Sequence, residues 1–385
     1  MIPSEFIEQM KPFNALYNEP LAPFTTWKIG GNAEVLVQVA TSDELKAVLE
    51  LVAIYDIPYR VLGKASNILI SDNGLQGVVI INRSRHAQLP SSFSQKTLLE
   101  SISNPEIPHR HSETGDTKFY SFADLEFTDT GAPIPITFNS SCELASVITV
   151  TTKHKLSGLQ WFAGIPGTLG GSLYNNIHGG TKHFSDYFVS ARLFIPSTST
   201  LATEAGILEH SSVTVINSSS NWLEIEAGFD FFQFGYDESI LRKHEEIIVL
   251  EVTLNFYQRT DDKALEVARQ WLVRKKIQPK KSCGSVFQCI TLQQQESLGF
   301  PTASAGYIID KVLNFRGKKE GGVMIAENHA NFIENVSPDA KAADVLTLIR
   351  AVRAEVKSKI GITLYPEINF LGFTSEELAG VVGEL

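Results

Sequence analysis

In the stretch Ser282-Cys283-Gly284-Ser285-Val286-Phe287-Gln288, a serine sits between a glycine and two bulky apolar residues. Glycine lets a backbone approach a partner closely, and packed Val286 and Phe287 side chains would hold the Ser285 hydroxyl in one place. The plain alternative is a turn entering a buried strand. Just upstream, Arg274, Lys275, Lys276, Lys280 and Lys281 fall within eight residues. Cations at a helix C-terminus complement its dipole, and TDDKALEVARQWLVRKK carries its acids at the opposite end. That accounts for Arg274 and Lys275. Lys280 and Lys281 extend the cluster into the following loop, for which a phosphate-bearing ligand is a reason.

Two glycine-containing loops offer further chemistry. In VLGKASNILISDNGLQGVVI, Gly63, Lys64, Ala65, Ser66 and Asn67 separate two apolar runs. Small residues there let backbone N–H groups near an anion, and Ser66 and Asn67 add side-chain donors. The second loop, GLQWFAGIPGTLGGSLYNNIHGG, is rich in glycine and small polar residues. Neither follows a strand–GxGxxG–helix pattern or contains GxxxxGK[ST], so a Rossmann site and a P-loop are unsupported. Singly each reads as a connector; together they suggest two walls of a dinucleotide pocket.

The elements that position these loops are legible in the hydrophobic pattern. AEVLVQVA, YRVLG and GVVIIN read as strands, and TSDELKAVLELVAIYD as a helix capped by Thr41 or Ser42. CELASVITVTTKHK and TDDKALEVARQWLVRKK read as helices, and HSSVTVINSS, WLEIEAGFDFF and EIIVLEVTLNFY as strands. AKAADVLTLIRAVRAEVKSKIG is a long amphipathic helix before the strand-like ITLYPEINFLGF. This mixture implies an α/β or α+β protein. Residues 84–130 form a polar insertion with no sustained period, and a second polar stretch covers 197–221. His86, His109 and His111 lack carboxylate or cysteine at ligand spacing and are expected to be solvated, with no metal site.

The chain has 385 residues, 43% hydrophobic and 20% charged, which is ordinary globular composition for two or three domains. A net charge of −10 argues against nucleic-acid binding, and apolar runs are too short for a membrane span. The N-terminus lacks a signal-peptide pattern, and Cys142, Cys283 and Cys289 cannot all pair, so reduced thiols in a cytoplasm are expected.

TTWKIGGNAEVLV, LGKASNILISDNGLQGVVI, GLQWFAGIPGTLGGSLYNNIHGG, SCGSVFQ, AGYIIDKV…GGVMIAENHANFIEN and LYPEINFLG occur in one order. In these motifs, from about residue 23 to 373, the chain resembles the UDP-N-acetylenolpyruvoylglucosamine reductase (MurB) family. The resemblance implies an α+β, three-domain FAD-binding (PCMH/MurB-like) architecture. Two domains, 1–82 and 83–260, would clasp FAD, with 366–385 available to rejoin the first, and 261–365 would bind substrate. It also implies a UDP-N-acetylmuramate dehydrogenase, a cytoplasmic enzyme of peptidoglycan precursor synthesis. NADPH reduces FAD there, and hydride passes to the enolpyruvyl group of the UDP-sugar. Charge that develops on the substrate then needs preorganised donors or cations, and the neighbouring carbon needs a proton.

On this resemblance Ser285 matches the general acid and Glu367 a residue that polarises the enol. Tyr236, Lys276 and His329 match substrate contacts. Gly63, Lys64, Ala65, Ser66, Asn67, Ala163, Gly164, Ile165, Pro166, Gly167, Thr168, Gly170, Gly171, Asn176 and Ile177 would line the flavin. The chain departs from the pattern at three places. Asp237 follows Tyr236 where the family commonly has arginine, Asn369 stands where many relatives have arginine, and the first loop reads GKASN instead of GGGSN. Arg242 is the candidate to take over the first missing charge. Two other readings stay open at this level. One is an FAD-dependent oxidase of another sugar or alcohol, with His178 available as a covalent flavin anchor. The other is a non-catalytic nucleotide-binding paralogue, which would explain the absent arginines.

Overall fold

A computed structural model describes residues 2–88, 126–203 and 211–384. The greater part of the polar insertion, including His109 and His111, lies outside the described residues, as does the middle of the second polar stretch.

The N-terminal part is a four-stranded mixed sheet in the order Leu16–Pro20, Asn32–Val39, Leu75–Asn82, Tyr59–Leu62. Asn32–Val39 and Tyr59–Leu62 both run parallel to Leu75–Asn82. The Ser42–Ile54 helix supplies the crossover. Thr41 caps it, with its hydroxyl accepting from Glu44 N at 3.1 Å, while the Glu44 carboxylate accepts from Ala40 N at 2.7 Å. Its buried stripe, Leu45, Val48, Leu49 and Val52, recurs at helical spacing and packs on Val35, Val37, Val78 and Ile80. Each such side chain contributes roughly 1.5–3 kcal/mol when fully buried.

The middle of the chain is an antiparallel sheet of seven strands among the described residues, centred on Phe188–Pro196 and Ile248–Gln258. Ile248–Gln258 alternates buried and partly buried positions along nearly its whole length, the period of a strand with one face in a core. Within the second polar stretch, Val213–Ser218 pairs with Trp222–Gly228 as a hairpin at the sheet edge. The helices Leu144–Lys153 and Lys263–Lys275 pack on this core through Val147, Val150, Val267, Ala268 and Trp271.

The C-terminal part packs the Ala342–Ile360 helix on a small antiparallel sheet, Lys319–Glu320, Val323–Ile325 and Ile333–Asn335. Its core includes Trp27, Ile29 and Leu69 from the N-terminal part, and Trp27 Nε1 donates to Ile333 O at 2.7 Å. Of the strand-like ITLYPEINFLGF only Asn369–Leu371 is a strand, parallel to Ile68–Ile70. Pro366 has no N–H to extend a ladder, and the chain there makes a single bridge, Pro366 to Phe287. The segment 366–385 divides its contacts: Asn369–Leu371 pairs with the N-terminal part, while Leu378 and Val381 pack in the C-terminal core. Fully buried Arg353 holds this arrangement, donating to Leu364 O at 2.8 Å, to Gly380 O at 2.6 Å and to Gly383 O.

Candidate active site

A cavity of about 430 Å³ opens where these three parts meet. Gly63, Lys64, Ala65, Ser66 and Asn67 line one side; Gly164, Ile165, Pro166, Gly167, Thr168, Gly170, Gly171 and Ile177 line the other. The two loops touch. Ser66 Oγ donates to Pro166 O at 2.8 Å, and a Cβ at Gly63 would lie 2.6 Å from Thr168 Oγ1, so only glycine fits. Ala65 sits at φ 45°, in the left-handed region that turns the chain under the cavity. Ala163 and Asn176 are buried behind this wall and do not line it. Asn176 braces it instead, with Nδ2 donating to Gly235 O at 2.7 Å and Oδ1 accepting from Ser185 N at 3.0 Å.

Ser285 and Glu367 line the same cavity, joined by main-chain bonds across a gap of more than eighty residues. Glu367 N donates to Val286 O at 2.9 Å, and Gln288 N to Tyr365 O at 2.9 Å. Gly284 has φ 91°, which a side chain would strain, and buried Val286 and Phe287 anchor the turn from behind. Asn331 clamps it: its carbonyl accepts from Val286 N at 2.8 Å, while its side chain exchanges bonds with Phe287 N (3.0 Å) and Phe287 O (2.8 Å). Burial pushes the Glu367 carboxyl up to about 8; Asp237 adds to the rise and Arg242 opposes it. A carboxyl raised this far keeps most of its proton at neutral pH.

The cations around the cavity are not all where the basic cluster suggested. Lys275 lines it, whereas Lys276 and Lys280 are exposed and do not. The Lys275 stem lies across Gly164, where a Cβ would come within 3.0 Å of it, and burial lowers its ammonium to about 8. Helix phase carries this signal: Lys275 follows buried Trp271 by one turn, so it shares the inward face. Arg242 also lines the cavity, donating to Asn175 Oδ1 at 3.1 Å and to Asp237 O at 3.3 Å. Lys64 is 2.7 Å from Glu143, which Arg85 also approaches at 3.2 Å, so its charge is directed at protein.

Tyr236 is 59% exposed and outside the lining, with its hydroxyl 3.3 Å from His178 Nε2. His178 lines the cavity, and its Nδ1 lies 2.9 Å from Asp237 Oδ1. His329 does not line it; its ring packs 4.4 Å from that of Phe332, which does. Asn175, His178, Asp237, Lys275 and Asn369 complete the wall. Of these, the sequence offers His178 as a flavin anchor in the rival oxidase reading, Asp237 and Asn369 as departures from the family pattern and Lys275 as a helix-terminal cation, and it does not single out Asn175.

The wall suits an elongated anionic cofactor. Two glycine turns bring bare backbone to its surface, and Asn82, Ser140 and Ser141 add small polar groups. The same cavity is lined by Ser285, Glu367, Arg242 and Lys275, two potential proton donors beside two cations.

Residues 277–371 match the family model described as UDP-N-acetylenolpyruvoylglucosamine reductase, C-terminal domain. Along most of its length the chain is similar to curated proteins named UDP-N-acetylenolpyruvoylglucosamine reductase. It is 30% identical to that of Synechococcus sp. (strain RCC307) over 92% of each chain. It is 28% identical to that of Bacillus subtilis (strain 168) over 93% of this chain and 94% of the relative. In fold it resembles the crystal structure of UDP-N-acetylenolpyruvylglucosamine reductase (MurB) from Thermus caldophilus. The TM-score is 0.60 at 23% identity, covering 93% of this chain and 98% of that one. With 30% identity sustained across nearly the whole of both chains, this α+β protein belongs to the UDP-N-acetylenolpyruvoylglucosamine reductase family.

Proposed function

We infer that this chain is a UDP-N-acetylmuramate dehydrogenase: it reduces the enolpyruvyl group of UDP-N-acetylglucosamine enolpyruvate, using FAD and NADPH, to make a peptidoglycan precursor. The observation that supports this most is the meeting of Ser285 and Glu367 on one wall of a cavity whose other walls are the two glycine loops. The loops 63–67 and 164–171 would hold the cofactor; when bound, FAD takes hydride from NADPH and supplies it to the vinyl carbon of the substrate.

The protein's own groups then handle charge and the proton. Ser285 Oγ, set on a rigid turn, gives its proton to the carbon that bears the carboxylate. A hydroxyl is a weak acid, and it would serve here because the turn holds it in place to meet a strongly basic carbon. Glu367, protonated at neutral pH, donates a hydrogen bond to the developing enolate, and Arg242 and Lys275 stabilise the substrate's negative charge. Arg242 takes the place of the arginine that Asp237 displaces. No helix among the described residues is long and apolar enough to cross a membrane. The reductant and the nucleotide sugar are cytoplasmic, and that is the compartment we assign.

An oxidase with flavin bound through His178 gains no support from the geometry, since both ring nitrogens face protein partners. The test is the absorbance of the purified protein. Flavin bands that NADPH bleaches and the enolpyruvyl sugar nucleotide restores establish the reading. Bands that the nucleotide leaves bleached exclude it.

A further inference from the structure

His178 and Asp237 form a pair in the lining of the cavity that the reaction described above does not use. Asp237 lies at φ 52°, a left-handed conformation that a non-glycine residue holds only where its surroundings fix it. Its backbone carbonyl accepts from Arg242, and its carboxylate meets the His178 ring at 2.9 Å. The other ring nitrogen faces the Tyr236 hydroxyl at 3.3 Å, and the two rings lie 4.9 Å apart. The chain of contacts continues to the catalytic wall: Arg242 reaches Asn175 Oδ1, Asn67 Nδ2 lies 3.4 Å from the same oxygen, and Asn67 also donates to Glu367 O at 3.1 Å. Asp237 therefore puts a carboxylate beside Glu367, in a cavity read above as receiving an anionic substrate.

We propose that His178 is a positioning residue of the substrate site: its Nδ1–H holds the Asp237 carboxylate against the ring, so that an anionic substrate can enter beside it. This rests on the functional reading above. The other charged or titratable groups facing Asp237 are Glu367 and Cys289 from the C-terminal part and Arg242 and Tyr236 from its own loop. Only the histidine engages the carboxylate oxygen within hydrogen-bonding distance among the described residues. Tyr236 orients the ring from the far side, so that Nδ1 is the nitrogen that donates.

The test is reoxidation of the NADPH-reduced holoenzyme by UDP-N-acetylglucosamine enolpyruvate, followed by stopped flow at several nucleotide concentrations. His178→Phe keeps the ring and its packing on Tyr236 but removes both nitrogens. It raises the half-saturating concentration severalfold, because the Asp237 carboxylate is no longer held to the ring and turns toward the incoming anion; the ceiling is about tenfold, the effect of one full unit charge about 10 Å away at an effective permittivity of about 25. The change falls on half-saturation and not on the limiting rate, and flavin content stays that of the wild type. His178→Asn, which returns an N–H to the carboxylate, recovers part of the loss. Asp237→Asn alone lowers half-saturation below wild type, and His178→Phe/Asp237→Asn abolishes the defect of His178→Phe. Unchanged half-saturation in His178→Phe, or a defect that persists in the double variant, overturns the proposal. If His178→Phe fails to hold flavin, Asp237→Asn decides alone: a rise in half-saturation there refutes the assignment. A wild-type enzyme that the nucleotide cannot reoxidise at all refutes the functional reading, a different outcome from any of these.

Discussion

Replacing Glu367 by glutamine removes a buried ionisable group while keeping its size and hydrogen-bonding capacity, so it tests directly whether the carboxyl is held neutral. In the unfolded chain the group titrates near 4.5, and in the folded protein burial and Asp237 raise it to about 8. Between those two values the unfolded chain has released a proton that the folded protein keeps. Stability therefore falls as pH rises through this window: the penalty is absent below 4.5 and complete above 8. At 1.36 kcal/mol per pH unit the full displacement corresponds to about 5 kcal/mol, an upper bound because local relaxation and water entry reduce it. Glu367→Gln carries no such penalty. Chemical denaturation of both proteins at matched flavin content, from pH 5 to pH 9, is the assay. The variant should gain at most about 4 kcal/mol relative to wild type across that range, nearly all of it between pH 5 and 8. Denaturation midpoints that move in parallel for the two proteins would refute the reasoning, because Glu367 would then ionise in the folded protein as it does in water.

Three other outcomes are expected. Ser285→Ala should leave flavin content and reduction by NADPH near wild type, but slow reoxidation by the enolpyruvyl nucleotide by about 10²–10⁴-fold in stopped flow, the usual worth of a positioned acid; equal reoxidation rates would remove Ser285 from proton transfer. Lys275→Met should weaken binding of the UDP-sugar at least tenfold by calorimetry on the oxidised enzyme, whereas Lys276→Met, at an exposed position, should change it less than twofold. Arg242→Ala should raise the KM for the enolpyruvyl substrate and lower turnover with flavin content unchanged, and near-normal steady-state kinetics would mean that another group supplies the missing charge.

Much of the fold could be read from local pattern, because the forces that select helix or strand act over a few residues. Thr41 and Glu44 mark a helix start, the stripe Leu45, Val48, Leu49 and Val52 marks its buried face, and the alternation in Ile248–Gln258 marks a half-buried strand. The glycine loops were visible for the same reason, since close backbone approach needs glycine wherever it occurs. Ser285 and Glu367 were singled out by their motifs. Their joining is a tertiary fact, made by main-chain bonds between Val286, Gln288, Tyr365 and Glu367 that no local window contains. The choice of Lys275 over Lys276 was available in principle from helix phase after Trp271, but the run of five cations concealed it.

Other features depended wholly on packing. Nothing around Arg353 in the sequence distinguishes it from a surface arginine, yet it is fully buried in the C-terminal part with three carbonyls as partners. Asp237 looked like the loss of a charge; in the fold it meets His178, 59 residues away, and helps to keep Glu367 neutral. Sequence determined most of the elements, the two glycine turns and the candidates for reactive groups, because those follow from local sterics and side-chain chemistry. Tertiary structure decided which groups face one another and how far each is removed from water. Coulomb energy and desolvation depend on distance and burial, and neither exists until the chain has folded.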